Sequence, residues 1–179
     1  MEFSIRELTI NDLHPNMLLH FDRYQEVRRC LRKDGNKLVL KDIPFIEQWD
    51  DETKQEIVVV DFTNCLSTGG VVWGVFNERG ELIAFASLLA EFFGSEKQYL
   101  QLMQLHTSYG YRSMGIGKEL FKLSVEKAKL LGAKKLYIST HSAEESQRFY
   151  EAMGCVDAQE ISKKLAEFEP NDRQMEFVL

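Results

Sequence analysis

The chain has 179 residues, 44% hydrophobic and 28% charged, with a formal net charge of −6. This composition excludes a disordered tail and supplies a core without help from disulfides or metals. The three cysteines, Cys30, Cys65 and Cys155, include no Cys-x-x-Cys pair, so neither a disulfide framework nor a cysteine zinc site is indicated.

Residues 1–179 read as one domain. Met1–Asp12 is mixed and charged, unlike a signal peptide, and no apolar run approaches ~18 residues. The expectation is a soluble cytoplasmic protein with no membrane partner. Phe3–Leu8 alternates weakly and reads as a short strand. From Asp12 to about Arg32 the pattern reads as two helical pieces, with Pro15 in an opening turn. The basic run Arg28-Arg29-Cys30-Leu31-Arg32-Lys33 then becomes a solvated helix face, and with the acidic net charge no nucleic-acid partner is expected. Asp34-Gly35 marks a turn, Lys37–Lys41 is a short apolar run, and Ile43-Pro44 breaks it. A helix is expected from Glu52 to Cys65.

After Gly70 the period changes. Val71–Phe76 and Leu82–Leu89 flank Asn77-Glu78-Arg79-Gly80, the clearest hairpin in the chain. Tyr99–Thr107 is a third strand. Residues 116–131 place Leu120, Phe121, Ser124, Val125, Ala128 and Leu131 on one helical face. Lys135–Thr140 is a strand. Ser142 followed by Glu145 reads as a capping box, opening a helix that carries Ser146, Phe149, Tyr150 and Met153 on one side. Gly154 ends that helix, and Met175–Leu179 alternates as a final strand. The order implies α/β or α+β architecture around a mixed sheet.

The stretch Thr107–Phe121 carries the chemistry. A strand delivers the chain to a loop whose end begins a helix, where free N–H groups and the helix dipole favour an anion. Gly115 and Gly117 remove side chains where a phosphate touches backbone, and Arg112 supplies a charged fork. The loop suits a pyrophosphate. It is not a P-loop, because Gly117-Lys118 is followed by Glu119 rather than Ser or Thr. It is not a Rossmann fingerprint, because position 120 is Leu.

Tyr111-Arg112-Ser113-Met114-Gly115-Ile116-Gly117 resembles the acyl-CoA pyrophosphate loop of the GNAT superfamily of N-acetyltransferases, Gln/Arg-x-x-Gly-x-Gly/Ala. Downstream, Ser146-Gln147-Arg148-Phe149-Tyr150-Glu151-Ala152-Met153-Gly154-Cys155 resembles that family's Ala-x-x-Phe-Tyr-x-x-x-Gly-Phe segment. Ala143 stands where an Asn is frequent, Ser146 replaces the usual Ala and Cys155 the usual Phe. The match covers roughly residues 70–156, the expected acetyl-CoA-binding core; residues 1–69 would shape the acceptor site.

The resemblance implies a mostly antiparallel sheet with a splayed strand pair, flanked by helices. It implies acetyl-CoA as co-substrate, with no metal, and direct transfer to a primary amine of a small molecule or protein. The backbone of Leu105, His106 and Thr107 would pair with the pantetheine arm. Arg112, Ser113, Met114, Gly115, Ile116, Gly117 and Lys118 would hold the pyrophosphate, with Ser146, Phe149 and Tyr150 beside the cofactor. Tyr150 would protonate the departing thiolate, or else pack the core or merely bond the sulfur. Candidates for the base are Glu91, Gln104 and His106, with water an equal competitor. His141 reads as a turn residue, and the cysteines as small core residues.

Phe21, Tyr24, Phe45, Trp49, Asp50, Asp51 and Glu52 would wall the acceptor pocket, where carboxylates beside aromatics suit an amine; a solvated helix cap after a hydrophobic plug is the plain alternative. A non-catalytic acyl-CoA sensor is the alternative function. Exposed sheet edges make a homodimer plausible.

Overall fold

The structure, a computed structural model, describes residues 2–179. In chain order the strands are β1 (Phe3–Glu7), β2 (Gln25–Asp34), β3 (Lys37–Glu47), β4 (Val71–Asn77), β5 (Leu82–Leu88), β6 (Tyr99–Thr107), β7 (Lys135–Thr140), β8 (Val156–Asp157) and β9 (Arg173–Val178). The helices are α1 (Asp51–Glu56), α2 (Thr63–Ser67), α3 (Ile116–Leu130), α4 (Glu144–Ala152) and α5 (Lys163–Phe168).

Seven strands form one sheet in the order β1-β4-β5-β6-β7-β9-β8, and β2 and β3 form a separate two-stranded arm. Neighbours in the sheet pair antiparallel except β6 and β7, which run parallel because α3 carries the crossover between them. The mixed sheet flanked by helices is the architecture expected from the element order, and its mostly antiparallel pairing is the one that the resemblance implied.

The two faces of the sheet bury different cores. On one, Ile116, Leu120, Phe121 and Ala128 of α3 pack on Val75, Ala86, Leu100, Leu102, Leu136 and Ile138. Phe149 and Tyr150 of α4 pack against this cluster. On the other face, Ile57, Val58, Phe62 and Cys65 pack on Val72, Leu82 and Phe85, together with Leu18 and Phe21. Cys30, Cys65 and Cys155 are all buried free thiols.

Five expectations are corrected. Residues 25–34 are a strand rather than a helix. Their buried positions, Val27 and Cys30, lie three apart and so mimic a helical period. The ladder also carries a bulge: the register passes from Val27↔Phe45 to Arg29↔Asp42, so Ile43 and Pro44 of β3 together face Arg28 and the local twist rises. That bulge also explains why Pro44 does not end β3, since a residue without an N–H is tolerated where the ladder is already interrupted. The basic run therefore lies on a strand, with Arg29 and Arg32 spent on contacts to Glu144 and Ser142.

The capping box is not used either. The N-cap of α4 is Ala143, with no side-chain cap. Ser142 instead accepts Leu31 N–H at 2.8 Å on its carbonyl and Arg32 Nη1 at 2.9 Å on its hydroxyl, and Ala143 bridges Cys30. The entry to α4 is an extension of the arm. Finally, the helix expected from Glu52 to Cys65 exists but is not uniform: Ile57–Phe62, between α1 and α2, is π-helical.

Candidate functional site

The splay is visible in the registers. β6 and β7 pair only from Tyr99↔Lys135 to Gln101↔Tyr137; beyond that β7 runs on beside β9 and β6 beside β5, leaving a wedge between them. At the point of departure β6 carries a bulge at Met103, since Leu102 faces Leu88 while Gln104 faces Ser87. The extra residue shifts the side-chain phase. Leu100 and Leu102 face α3, and after the bulge Leu105 does so, leaving Gln104 and His106 on the opposite face. Ser108 N–H donates to Ile83 carbonyl at 2.8 Å, which fixes the alternation of main-chain bonds. By that alternation Leu105 and Thr107 turn their N–H and C=O groups into the wedge, whereas those of His106 face β5. Of the three residues expected to offer backbone to a pantetheine arm, two are placed to do so.

The loop after β6 is a cradle of donors. Ser113 and Gly115 both have positive φ, 63° and 82°, and Gly115 is the N-cap of α3. The first helical bond at this end runs from Glu119 N–H to Gly115 carbonyl. None of the N–H groups from Ser113 to Lys118 has an acceptor among the described residues. Successive N–H groups in such a turn form an anion-binding concavity, and the helix dipole adds to it. Gly115 opens onto free space, and a Cβ at Gly117 would touch the Phe149 ring at 3.5 Å. These residues fit a diphosphate.

Arg112 does not extend into this cradle. Its Nε donates to the Thr107 carbonyl at 3.1 Å and a terminal nitrogen to the Arg23 carbonyl at 3.3 Å. Its guanidinium lies 5.5 Å from the Tyr109 ring. The positive charge expected on the phosphates is thus held at the mouth of the wedge, where it joins the loop to the segment before β2.

Across the wedge stands α4. Tyr150 packs edge-on to Phe121 and Phe149, at 6.2 Å and 5.1 Å between centroids. Its phenol makes no hydrogen bond among the described residues. Burial pushes its pKa above the ordinary tyrosine range, with a smaller contribution from Cys155, so the proton stays on at neutral pH. Ser146 and Phe149 lie on the same helix, half-buried.

On the opposite face of the sheet the predicted bases separate. His106 stacks edge-on to Trp49 at 4.8 Å and lies 5.4 Å from Phe85. Burial, together with the charges of Arg23 and Arg112, pushes its pKa down to about 3. A neutral imidazole with so little proton affinity is a poor base at neutral pH. Glu91 is exposed on the connection after β5, beyond Leu89, whose N–H donates to Gln101 carbonyl; it belongs to the closed end of the wedge. Gln104 is central, but an amide takes no proton. Its Nε2 donates to Asp61 Oδ2 at 2.8 Å.

The sequence reading passed over Asp61 and Arg23. Asp61 interrupts the apolar run Ile57-Val58-Val59-Val60-Asp61-Phe62, and a lone carboxylate in such a run was the available signal. Arg23 is 6% exposed, with Nη2 on Glu47 at 3.0 Å, Nη1 on Gln25 at 2.7 Å and its plane over Trp49 at 5.5 Å. Its Nε is buried without a partner among the described residues. Glu47 also lies 3.6 Å from His141, whose Nδ1 accepts Ala143 N–H at 3.1 Å, as a turn residue would.

The expected pocket wall divides. Phe21 is buried in the core and stacks on Trp49 at 5.7 Å, whereas Tyr24 meets Tyr109 at 5.2 Å and Phe45 meets His141 at 6.4 Å. Asp50 is instead the N-cap of α1, accepting Thr53 N–H at 2.8 Å, and Asp51 and Glu52 are exposed in its first turn. For the three acids the plain helix-cap alternative describes what is seen. Among the described residues no group of three His, Cys, Asp or Glu is arranged to hold a metal ion, and no helix is long and apolar enough to cross a membrane.

No curated protein matches the chain in sequence. Among solved structures, nourseothricin acetyltransferase is similar with a TM-score of 0.73 and 14% identity, over 99% of each chain. A candidate streptothricin acetyltransferase from Bacillus anthracis str. Ames, in complex with acetyl coenzyme A, has a TM-score of 0.73 and 16% identity, over 100% of this chain and 99% of that one. PaiA N-acetyltransferase from Thermoplasma acidophilum, in complex with coenzyme A, has a TM-score of 0.62 and 16% identity over the whole of both chains. At such identities the likeness is one of fold. The profile of the Acetyltransferase (GNAT) family matches residues 25–155, spanning both the donor loop and α4, and the chain belongs to that family.

Proposed function

We propose that the protein transfers an acetyl group from acetyl-CoA directly to a primary amine. The observation that carries this reading is the row of unpartnered N–H groups from Ser113 to Lys118 at the open end of a wedge lined by Leu105 and Thr107. The row would hold the pyrophosphate, and the wedge would take the pantetheine arm as an added strand. From Thr107 to Met103 is four residues, or about 13 Å of strand at ~3.3 Å per residue. This brings the thioester to the bulge, between Tyr150 on one face and Gln104 on the other.

Acetyl-CoA supplies the activated acyl group. In this reading the chain's own residues orient it and manage protons. Tyr150, whose phenol keeps its proton at neutral pH, gives that proton to the departing sulfur. Trp49 and Phe45 exclude water from the approach of the amine. The family membership and the intact donor cradle favour an enzyme over a sensor that only binds acyl-CoA.

The test is release of free CoA thiol from acetyl-CoA in the presence of nourseothricin, spermidine, 2-phenylethylamine or a lysine peptide. Amine-dependent thiol release with formation of the N-acetyl product supports the reading. Binding of acetyl-CoA with no transfer to any amine would favour the sensor.

A further inference from the structure

An amine at neutral pH is an ammonium, and it must lose a proton before its nitrogen can attack. We propose that Asp61 is the general base of the transfer, receiving the acceptor's ammonium on the face of the sheet opposite Tyr150. The proposal rests on the acetyltransferase reading above and names the group that completes it.

Three observations converge on this residue. The first is position. Ile57, Val58, Phe62 and Cys65 press the helical run against β4 and β5, and Asp61 reaches from its flank to β6, where Gln104 Nε2 donates to Oδ2. Gln104 is the first residue after the bulge at Met103, the level that a thioester in the wedge would reach. The second is availability. Only Oδ2 is engaged, and Oδ1 has no partner among the described residues, so one oxygen is fixed while the other is open to an ammonium. The third is backbone geometry. Asp61 lies in the π-helical segment Ile57–Phe62, an arrangement that is rare, occurs mostly as bulges within α-helices and is frequent at functional sites.

The chemistry of the neighbours agrees. Near Asp61 are Glu56 and Cys65 from its own helical run and Gln104 from β6, whose Oε1 accepts Ser87 Oγ of β5 at 3.5 Å, with His106 two residues further along. Burial raises the Asp61 carboxyl above the usual aspartate range, Gln104 opposes this, and Glu56 adds to the rise. A carboxylate of raised pKa is a better proton acceptor than an ordinary one and far better than His106.

The protons balance as follows. The ammonium gives one proton to Asp61, which passes it to solvent. The freed nitrogen lone pair forms the N–C bond to the thioester carbonyl carbon, and the C–S bond breaks with its electron pair on sulfur. Sulfur takes the Tyr150 proton, the phenol is restored by a second proton from nitrogen, and the third remains on the amide.

Asp61→Asn keeps an oxygen for Gln104 and removes the base. With the fastest amine of the four above, kcat/KM should fall by about 10²–10⁴ while the acetyl-CoA-induced rise in Tm is unchanged. Asp61→Glu, which keeps the carboxylate, should recover part of the loss. In the wild type kcat/KM should rise with pH through an acidic limb that Asp61→Asn lacks. Near-wild-type turnover and an unchanged pH profile in Asp61→Asn, with acetyl-CoA still bound, would overturn the base while leaving the acetyltransferase reading intact. If wild-type protein acetylates no amine, that reading and the base fall together.

Discussion

The two ends of β6 are built on opposite principles. At the closed end, Tyr99 and Tyr137 pack with Phe93 at ring distances of 5.2–5.3 Å. The Tyr99 hydroxyl donates to Glu176, which also receives Lys135 Nζ at 2.8 Å and Gln159 N–H at 3.1 Å. Tyr137 hydroxyl donates to Gln174 at 2.8 Å. At the open end a row of main-chain donors has no acceptor, and Arg23 Nε and Thr140 Oγ1 are buried without partners, among the described residues. Buried polar groups ordinarily find partners. Arg23 Nε and Thr140 Oγ1 depart from that rule, and the row of N–H groups near them lies at an exposed helix start, open to a ligand.

The comparison can be broken by substitutions at either end. The largest effect is expected at Tyr150. Tyr150→Phe keeps the ring against Phe121 and removes the hydroxyl, so kcat should fall by about 10²–10⁴ with acetyl-CoA affinity nearly unchanged. An acyl donor whose leaving group needs no proton should show a smaller fall, and equal slowing of both donors would indicate positioning rather than acid catalysis.

At the closed end the readout should be stability. Glu176 is 1% exposed, and removing it takes away the carboxylate that Lys135 and Tyr99 share. Glu176→Ala should cost about 3–5 kcal/mol in denaturant unfolding, the scale of breaking a buried pair. Burial pushes the Glu176 carboxyl up, but the bonds from Lys135, Tyr99 and Gln159 outweigh it, so its folded pKa is depressed. The stabilisation is therefore full above the unfolded value and is lost as pH falls through the folded one. Unfolding measured across the acid range should show a slope in the wild type that Glu176→Gln weakens. A variant with wild-type stability would mean that the network is incidental.

The smallest effect distinguishes the ends most finely. Thr140→Val is isosteric and deletes a buried hydroxyl with no partner, so it should leave the free protein unchanged or stabilise it by up to about 1 kcal/mol. A loss of stability would reveal a hydrogen bond that the structure does not contain.

The same contrast explains what was legible in the sequence. Strands β4 to β7 and helix α3 follow their local periodicity, because each buries one regular face against a continuous core. The donor loop was legible because glycine spacing and a helix start are local signals. The arm was not. Val27 and Cys30 are buried three residues apart, which imitates a helix, and partners at Ser142 and Glu144, more than a hundred residues away, decided the conformation. Ser142 looked like a cap from its neighbours and became a strand contact because of Leu31. Arg112 was placed on phosphate by its motif, whereas its guanidinium goes to the Thr107 and Arg23 carbonyls, the latter supplied by a distant segment. Asp61 was missed because its meaning depends on Gln104, which a helix pattern does not show.

The central claim is that the open end of β6 is completed by acetyl-CoA, and a thermal-shift titration in EDTA tests it most directly. Acetyl-CoA should raise the Tm of the wild type by mass action without added metal. Gly117→Asp, which brings a carboxylate to the row of N–H groups, should abolish that rise while leaving the Tm of the free protein similar. No shift of the wild type at millimolar acetyl-CoA, or an equal shift in Gly117→Asp, would contradict the account.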